Sequence, residues 1–482
     1  MGPVEFHVSL TGRGDLTARI YRELLAAIQD GRLRPGERLP PSRDLARRLA
    51  VSRNTVTAAY ERLTAEGFLS GRVGAGTFVC GHAVTGPARR ASDGSVPDGN
   101  TPNGSGVQAR EPWRSMPAPA VPAPVAEYDF RVGTPDLGLF PFESWRRLVA
   151  RELRTTAIPS TEYGDPAGHA GLREAVARHV GVSRSVRAGA GDVLVTQGAQ
   201  QALDLTGRIL VEPGATVAVE DPGYPPARDL FRALGARVVG VPVDAEGLVV
   251  DRIPAVARLV YTTPSHQFPL GVPMSLARRT ALLEWADRHD AVVVEDDYDS
   301  EFRYGDRALE PLQSLDRCGR VVYVGSFSKT MLPALRLGFL VAPASLRPAL
   351  RTAKQLTDWH GDPFTQAALA RVIDDGLLAR HIRRAARTYA DRRDRVLAAL
   401  SAHLDGHLDV VPSAAGLHLS AWLAEGTRLD PDRALAAGVR ISPLDRFRLA
   451  PGPDGLVVGY GAIPAERIDE GIRRLAASMS LK

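Results

Sequence analysis

One lysine of this chain stands where covalent chemistry with an aldehyde is natural. Lys329 lies in Gly325-Ser326-Phe327-Ser328-Lys329-Thr330, directly after the apolar run 321–324, which reads as a strand. A lysine at the carboxyl end of a parallel strand sits in the crevice where α/β sheets bind ligands. Its amine can condense with a carbonyl; arginine can replace it in a salt bridge but not in that reaction. The chain holds only three lysines, Lys329, Lys354 and Lys482, and its other cations are arginines. The small hydroxyl residues Ser326 and Ser328 can hold a phosphate, and Arg336, seven residues on, can reach the same phosphate with its fork. Read blandly, Lys329 is a surface lysine in a serine-rich turn.

Asp296 argues against the bland reading. It follows the run 291–294 in "VVVEDDYDSEFRY", 33 residues before the lysine, enough for one strand–helix–strand crossover. A buried carboxylate under a pyridine nitrogen keeps that nitrogen protonated and makes the ring an electron sink. Tyr298, two residues on, can donate to a phenolic oxygen beside the lysine. Asp297 and Asp299 are rival carboxylates, suited also to turns and helix caps. Gly198 and Ala199, in Gln197-Gly198-Ala199-Gln200, follow the run 193–196 and open a helix whose N–H groups can cradle phosphate. Tyr224, in Asp221-Pro222-Gly223-Tyr224, offers a ring to stack on a cofactor, or packs as a loop tyrosine.

A second chemistry is electrostatic and belongs to the N-terminal segment. The chain's formal net charge is +5, and residues 16–80, with 11 arginines against 6 acids, carry a net +5 by themselves. Basic charge confined to one small segment marks a polyanion binder, or else a solvated charged face. The pattern predicts a helix over 16–31, a second over 43–50 capped by Ser42, and a third over 53–66 capped by Ser52. Val56, Ala59, Tyr60 and Leu63 fall on the inner face of the third. Residues 68–79, with Gly71, Gly74 and Gly76, read as a two-stranded wing. In helix-turn-helix geometry the third helix, beginning Ser52-Arg53-Asn54-Thr55, lies in the major groove. Arg53 suits guanine and Asn54 adenine. Arg43, Thr57 and Tyr60 are assigned to phosphates, and Arg72 and Gly76 to the wing tip.

The elements that position these residues divide the chain into three. Residues 14–80 form the winged helix-turn-helix domain. Residues 81–125, dominated by Gly, Pro, Ala and Ser, read as a flexible linker that cannot bury a core. From 126 to 482 short apolar runs alternate with helical segments, which argues a mostly parallel α/β sheet. A long arginine-rich helix after about residue 375 and then short strands read as a smaller α+β lobe. No run of about 18 apolar residues appears, so no membrane span is expected. Residues 1–10 lack a basic segment followed by an apolar stretch, so no secretory signal is expected. Cys80 and Cys318 stand in no CxxC or Cys/His cluster, so neither a disulfide framework nor a metal site is expected. These readings point to a cytoplasmic protein.

The text from "AIQDGRLRPGERLPPSRDLARRLAVSRN" to "GFLSGRVGAGTFV" resembles the GntR winged-helix family. Residues 126–480 resemble the fold-type I aminotransferases, through the segments above and through Phe130 to Pro135 and Tyr163, which match the opening segments of such domains. The fusion, with "TPSHQFPLG", "EDDYDSEFRY" and "GSFSKTMLPALRLGF", is similar to the MocR/GabR regulators. That resemblance implies pyridoxal 5'-phosphate (PLP) as cofactor. It makes Lys329 the Schiff-base lysine, Asp296 the partner of the pyridine nitrogen and Tyr298 that of the phenolic oxygen. It implies that Tyr224 stacks, and that Ser326, Ser328, Arg336, Gly198 and Ala199 hold the phosphate. It implies a homodimer on double-stranded operator DNA, with the aminotransferase-like domain a sensor rather than an enzyme.

Two departures stand out. Phe268 holds the place of the asparagine in the usual Asn-Pro-x-Gly turn, with Gln267 or His266 as candidates to compensate. Val457, in Leu456-Val457-Val458-Gly459-Tyr460, holds the place of the arginine that clamps a substrate carboxylate, with Arg446 and Arg448 nearby. A valine cannot pair a buried carboxylate. PLP itself is therefore the favoured effector, as in PdxR-type regulators of vitamin B6 synthesis. An amino compound reacting with the bound cofactor, or a bifunctional aminotransferase, are the alternatives.

Overall fold

The computed structural model describes residues 15–72, 74–80, 107–118, 125–154, 162–304, 310–413 and 415–480. The chain divides between Val107 and Gln108 into two compact units. The linker expected over 81–125 lies largely outside the described residues; of it, 107–118 and 125 are described, with a turn around Pro112–Ser115 that leaves Trp113 exposed. Lys482 also lies outside the described residues.

In the first unit the helix Leu16–Gln29 starts where the Asp15 carboxylate accepts the Thr17 N–H at 2.9 Å. It buries Ile20, Tyr21, Leu24, Ala27 and Ile28, the stripe that helical spacing dictates. The second helix is Ser42–Leu49 and corrects the expected cap. Ser42 is its first helical residue, Pro41 is the N-cap, and the Asp44 and Leu45 N–H groups go to the Pro41 carbonyl. Ala50, in the left-handed region, turns the chain into the third helix, Arg53–Ala65, which Ser52 caps by accepting the Thr55 N–H at 3.1 Å. The wing is an antiparallel pair, Leu69–Arg72 with Gly76–Val79. Leu69 and Val79 close a core that also holds Leu33, Leu39, Leu45, Val56 and Leu63.

The second unit is built on an eight-stranded sheet. Its order is Val193–Thr196, Gly338–Val341, Val321–Ser326, Val292–Asp297, Ala257–Thr262, Thr216–Asp221, Arg237–Asp244 and Gly247–Leu248. The five strands from Val321–Ser326 to Arg237–Asp244 run parallel, and Gly338–Val341 runs against both neighbours. The central strands read as continuous apolar runs because both faces are covered. Valines 217, 219, 260, 293, 294, 322 and 324 are all almost wholly buried. Thr196, Thr262, Asp296 and Ser326 fall at the carboxyl ends, so the parallel topology alone gathers them at one crevice.

The smaller lobe carries the 28-residue helix Leu377–Leu404. Beside it lies an antiparallel sheet in the order Leu408–Val410, His418–Leu423, Gly455–Gly459, Ser442–Pro443. Phe130, Tyr389, Leu456, Val458, Tyr460 and Ile472 form its core. The start of the domain is stitched to this lobe, since Tyr128–Asp129 pairs in parallel with Val439–Arg440. Among the described residues no helix is long and apolar enough to cross a membrane.

Candidate functional site

A cavity of about 600 Å³ opens at the carboxyl ends of the strands and is lined by Lys329, Asp296, Tyr298, Tyr224, Ala199, Ser326, Ser328 and Arg336. Sequence reasoning had brought these eight together from four separate segments. The half-buried Lys329 donates its Nζ hydrogen to the Gly133 carbonyl at 2.5 Å. Gly133 has φ +71°, and a Cβ on it would lie 2.9 Å from Nζ, so glycine is required for this approach. Burial holds the lysine's pKa below its ordinary value, against the opposing charges of Asp299 and Asp296. More of the amine is then neutral, the form that attacks an aldehyde.

Asp296 is buried, and its Oδ2 accepts the Tyr261 hydroxyl at 2.8 Å. Its Oδ1 is buried without a hydrogen-bond partner. Burial raises its pKa to about 7, despite the Tyr261 hydrogen bond. An orphaned carboxylate oxygen beside a lysine in an apolar-walled cavity fits a group that presents an N–H, and a protonated pyridine does so. The rival acids do not line the cavity, although Asp297 Oδ1 is likewise buried without a partner. Asp297 accepts Arg184 Nε and the Tyr323 hydroxyl, both at 2.7 Å, and Asp299 faces His266 Nδ1 at 2.9 Å. Tyr224 is the N-cap residue of the helix Pro225–Ala233, and burial pushes its hydroxyl up to about 12. Its ring meets Phe268 edge-on at 5.4 Å.

At the other end of the cavity the Ser326 hydroxyl donates to Ser328 Oγ at 2.9 Å and accepts the Ser328 N–H at 3.1 Å. Arg336, in the left-handed region at φ +51°, donates to the Gln197 carbonyl at 2.6 Å. Gly198 does not itself line the cavity. It caps the helix Ala199–Leu210 at φ +78°, and a Cβ there would lie 3.1 Å from both terminal nitrogens of Arg336. Its part is to let the guanidinium come close. Two serines, an arginine and a helix N-terminus make an anion site.

Neither candidate for the missing asparagine enters the cavity. The Gln267 amide donates to the carbonyls of Pro222 and Phe268, at 2.8 and 2.7 Å. His266 lies behind Tyr298, whose Oη is 2.9 Å from its Nδ1. Phe268 does line the cavity. Val457 is fully buried in an apolar cluster with Leu270, Val272, Val411 and Leu444. Arg446 lines the cavity, and among the described residues it has no partner; Arg448 instead lies over the Trp422 ring at 5.3 Å. His418 and Arg131 also line the cavity and were missed. No local pattern marks His418; Arg131 stands in the opening segment that sequence reasoning had singled out, paired to Asp129 at 2.8 Å. Tyr163 is exposed, and its ring lies 4.5 Å from that of Trp359, tilted by 30°.

In the first unit Arg43, Arg53 and Asn54 are exposed, and Thr55 and Thr57 are half-buried. Ser52 is exposed but serves as the cap. Tyr60 corrects its expected role. It is buried, and its hydroxyl donates to the Pro40 carbonyl at 2.9 Å, so no hydroxyl is left for a phosphate. Its place on the apolar face of the third helix, beside Val56 and Leu63, outweighs its polar tip. The exposed Arg72 lies over Phe78 at 5.1 Å. Arg72 and Gly76 form the last pair of the wing, next to its turn, and the Arg38 guanidinium covers Gly76.

Comparison with known proteins gives the same two parts. The profile "Aminotransferase class I and II" matches residues 128–472, and "Bacterial regulatory proteins, gntR family" matches residues 16–79. The chain is similar to the probable rhizopine catabolism regulatory protein MocR of Rhizobium meliloti, 37% identical over 95% of this chain and 93% of that protein. It is also similar to the pyridoxine biosynthesis transcriptional regulator PdxR of Corynebacterium glutamicum, 30% identical over 97% of this chain and 96% of that protein. A kynurenine aminotransferase of Pyrococcus horikoshii matches in structure with TM-score 0.67 at 31% identity, covering 73% of this chain and 90% of its own.

Proposed function

Since this chain belongs to the MocR-type transcriptional regulators, in which a GntR-family reader is fused to an aminotransferase class I and II domain, we propose that it holds PLP on Lys329 and uses the bound group to set its grip on operator DNA. The observation that carries this reading is the buried, unpartnered Oδ1 of Asp296 in the cavity that receives Lys329. PLP supplies an aldehyde for the lysine, a pyridine nitrogen for Asp296 and a phosphate for the serine–arginine end. The chain's own residues do the holding. Asp296 takes the pyridine N–H, Tyr298 faces the phenolic oxygen, Tyr224 stacks, and Ser326, Ser328, Arg336 and the Ala199 N–H take the phosphate, with Gly198 giving Arg336 room.

PLP is the effector in this reading, and the genes controlled are those of vitamin B6 synthesis. Val457, buried where a carboxylate-clamping arginine would stand, supports it, as does the likeness to a pyridoxine biosynthesis regulator. Two copies pair, and the symmetry presents two reading heads, each with Arg53 and Asn54 toward base edges. PLP changes operator affinity only by binding two postures of the dimer unequally. Borohydride reduction of the PLP-loaded protein tags Lys329, and operator affinity changes with PLP alone. An untagged Lys329 overturns the cofactor reading, and an operator affinity blind to PLP overturns the effector reading.

The unpartnered Arg446 favours a second reading, an amino compound with an anionic group as effector. Operator titrations with such compounds against the PLP-loaded protein separate the two. Steady keto-acid release from them marks an enzyme instead of a sensor.

A further inference from the structure

The cavity lacks the asparagine that commonly supports a cofactor's phenolic oxygen, and the residues behind Tyr298 supply a substitute. Tyr298 Oη and Asp299 Oδ1 both lie 2.9 Å from the same atom, His266 Nδ1. A ring nitrogen carries at most one hydrogen, so Nδ1 cannot serve both as a donor to the carboxylate and as an acceptor for the phenol. The carboxylate decides. The His266 and Asp299 side chains are only 1% and 2% exposed, and a carboxylate so deeply buried needs a donor. His266 is its side-chain hydrogen-bond partner. The other ring nitrogen, Nε2, faces Ser413 Oγ at 3.1 Å, and that hydroxyl gives its own hydrogen to the Ala415 carbonyl. Nδ1 therefore carries the hydrogen that the carboxylate accepts.

We propose that His266, oriented by Asp299 and Ser413, is a positioning residue that denies the Tyr298 hydroxyl an acceptor and so turns its hydrogen into the cavity, toward the phenolic oxygen of the bound cofactor. Phe268 has removed one donor from that oxygen; the Asp299–His266 pair secures the remaining one. The charged and titratable groups that face this pair are consistent with it. His418, whose ring lies 4.9 Å from that of His266, is held neutral by burial and by its neighbour. Burial first, then Asp299, Asp296, Glu220 and Asp297, holds Tyr298 well above its ordinary pKa, so it keeps a hydrogen to donate.

This inference rests on PLP being bound at Lys329. The test is a double-substitution cycle on the full-length, PLP-loaded protein, reading the pH midpoint of its visible absorption band. A hydrogen bond donated to the phenolic oxygen favours its ionised form and lowers that midpoint. Tyr298→Phe therefore raises it. His266→Gln and Asp299→Asn each alter local charge as well, so the informative quantity is the coupling. The shift that each produces with Tyr298 present differs by at least about half a pH unit from the shift in the Tyr298→Phe background. Ser413→Ala, a smaller change, serves the same cycle if either variant does not fold. Shifts that simply add overturn the proposal. A wild type with no visible band overturns the PLP reading and is distinct from that outcome.

Discussion

Tyr261 holds one oxygen of Asp296 and leaves the other bare: Oδ2 accepts the phenol at 2.8 Å, while Oδ1 is buried with no partner. The phenol fixes the carboxylate's orientation without neutralising it, and burial carries its pKa from 3.8 to about 7. In the absence of a ligand that geometry is a cost. An acid whose folded pKa exceeds its unfolded value binds more protons when folded. Its contribution is therefore best below the unfolded value and is lost as pH rises through the folded one.

The first prediction follows. Without PLP, wild-type stability falls between about pH 4 and pH 7 relative to Asp296→Asn, by at most about 4 kcal/mol, and the two run parallel above that window. Glu295 and Glu301, also raised by burial, tilt both proteins alike. Thermal unfolding of the two proteins at pH 5, 6 and 8 reads the difference. With PLP present the ranking reverses at pH 8, because the asparagine cannot pair with a protonated pyridine.

Lys329→Arg separates charge from covalency. Arginine keeps a cation near Asp296 and the Gly133 carbonyl but cannot condense with an aldehyde. The variant shows no visible band with PLP and no borohydride-stable mass increase, and its operator affinity does not respond to PLP. Its affinity without PLP stays within about twofold of wild type, since the reader folds around its own core. Absorbance, mass spectrometry and a gel-shift titration check these three outcomes.

Much of this site was legible because parallel strands aim their carboxyl ends at one crevice. The runs before Gly198, Tyr224, Asp296 and Lys329 named the strands, and the strands brought the residues together. His418 and Arg446 were less legible because they reach the cavity from the smaller lobe, across a boundary that no local periodicity encodes. Gly198 also admits Arg336, a close approach that no sequence pattern encodes. Tyr60 shows the opposite failure. Its helical phase with Val56 and Leu63 already placed it inward, and its hydroxyl was given too much weight. In the fold, the Ser42 cap failed because the preceding Pro41 already offers its carbonyl to the first turn.

At the reader, Arg53→Ala costs about 1–3 kcal/mol of operator affinity and relaxes preference at one base position. Tyr60→Phe leaves operator affinity unchanged and lowers stability by about 1–3 kcal/mol, because the buried Pro40 carbonyl loses its donor. A gel-shift series on variant operators and a urea titration separate the two effects. Weakened operator binding by well-folded Tyr60→Phe would restore the phosphate role that its burial removes.

Arg446 decides between the two effector readings. Its guanidinium lines the cavity with no partner among the described residues, while the family's clamp position is closed by Val457 among Leu270, Val272 and Leu444. A carboxylate or other anion on an amino compound would therefore meet Arg446 and not residue 457. Arg446 is exposed, and a pair of this kind is worth up to about 1 kcal/mol, so Arg446→Ala weakens the response to an anionic amino compound up to about fivefold. In the proposed reading PLP is held by Lys329, Asp296, Ser326, Ser328 and Arg336 and not by Arg446, so its own binding changes less than about twofold. If PLP alone is the effector, Arg446→Ala leaves the PLP response of operator binding intact and no amino compound changes it. Parallel titrations of wild type and variant, each loaded with PLP, give a different pair of curves under each reading.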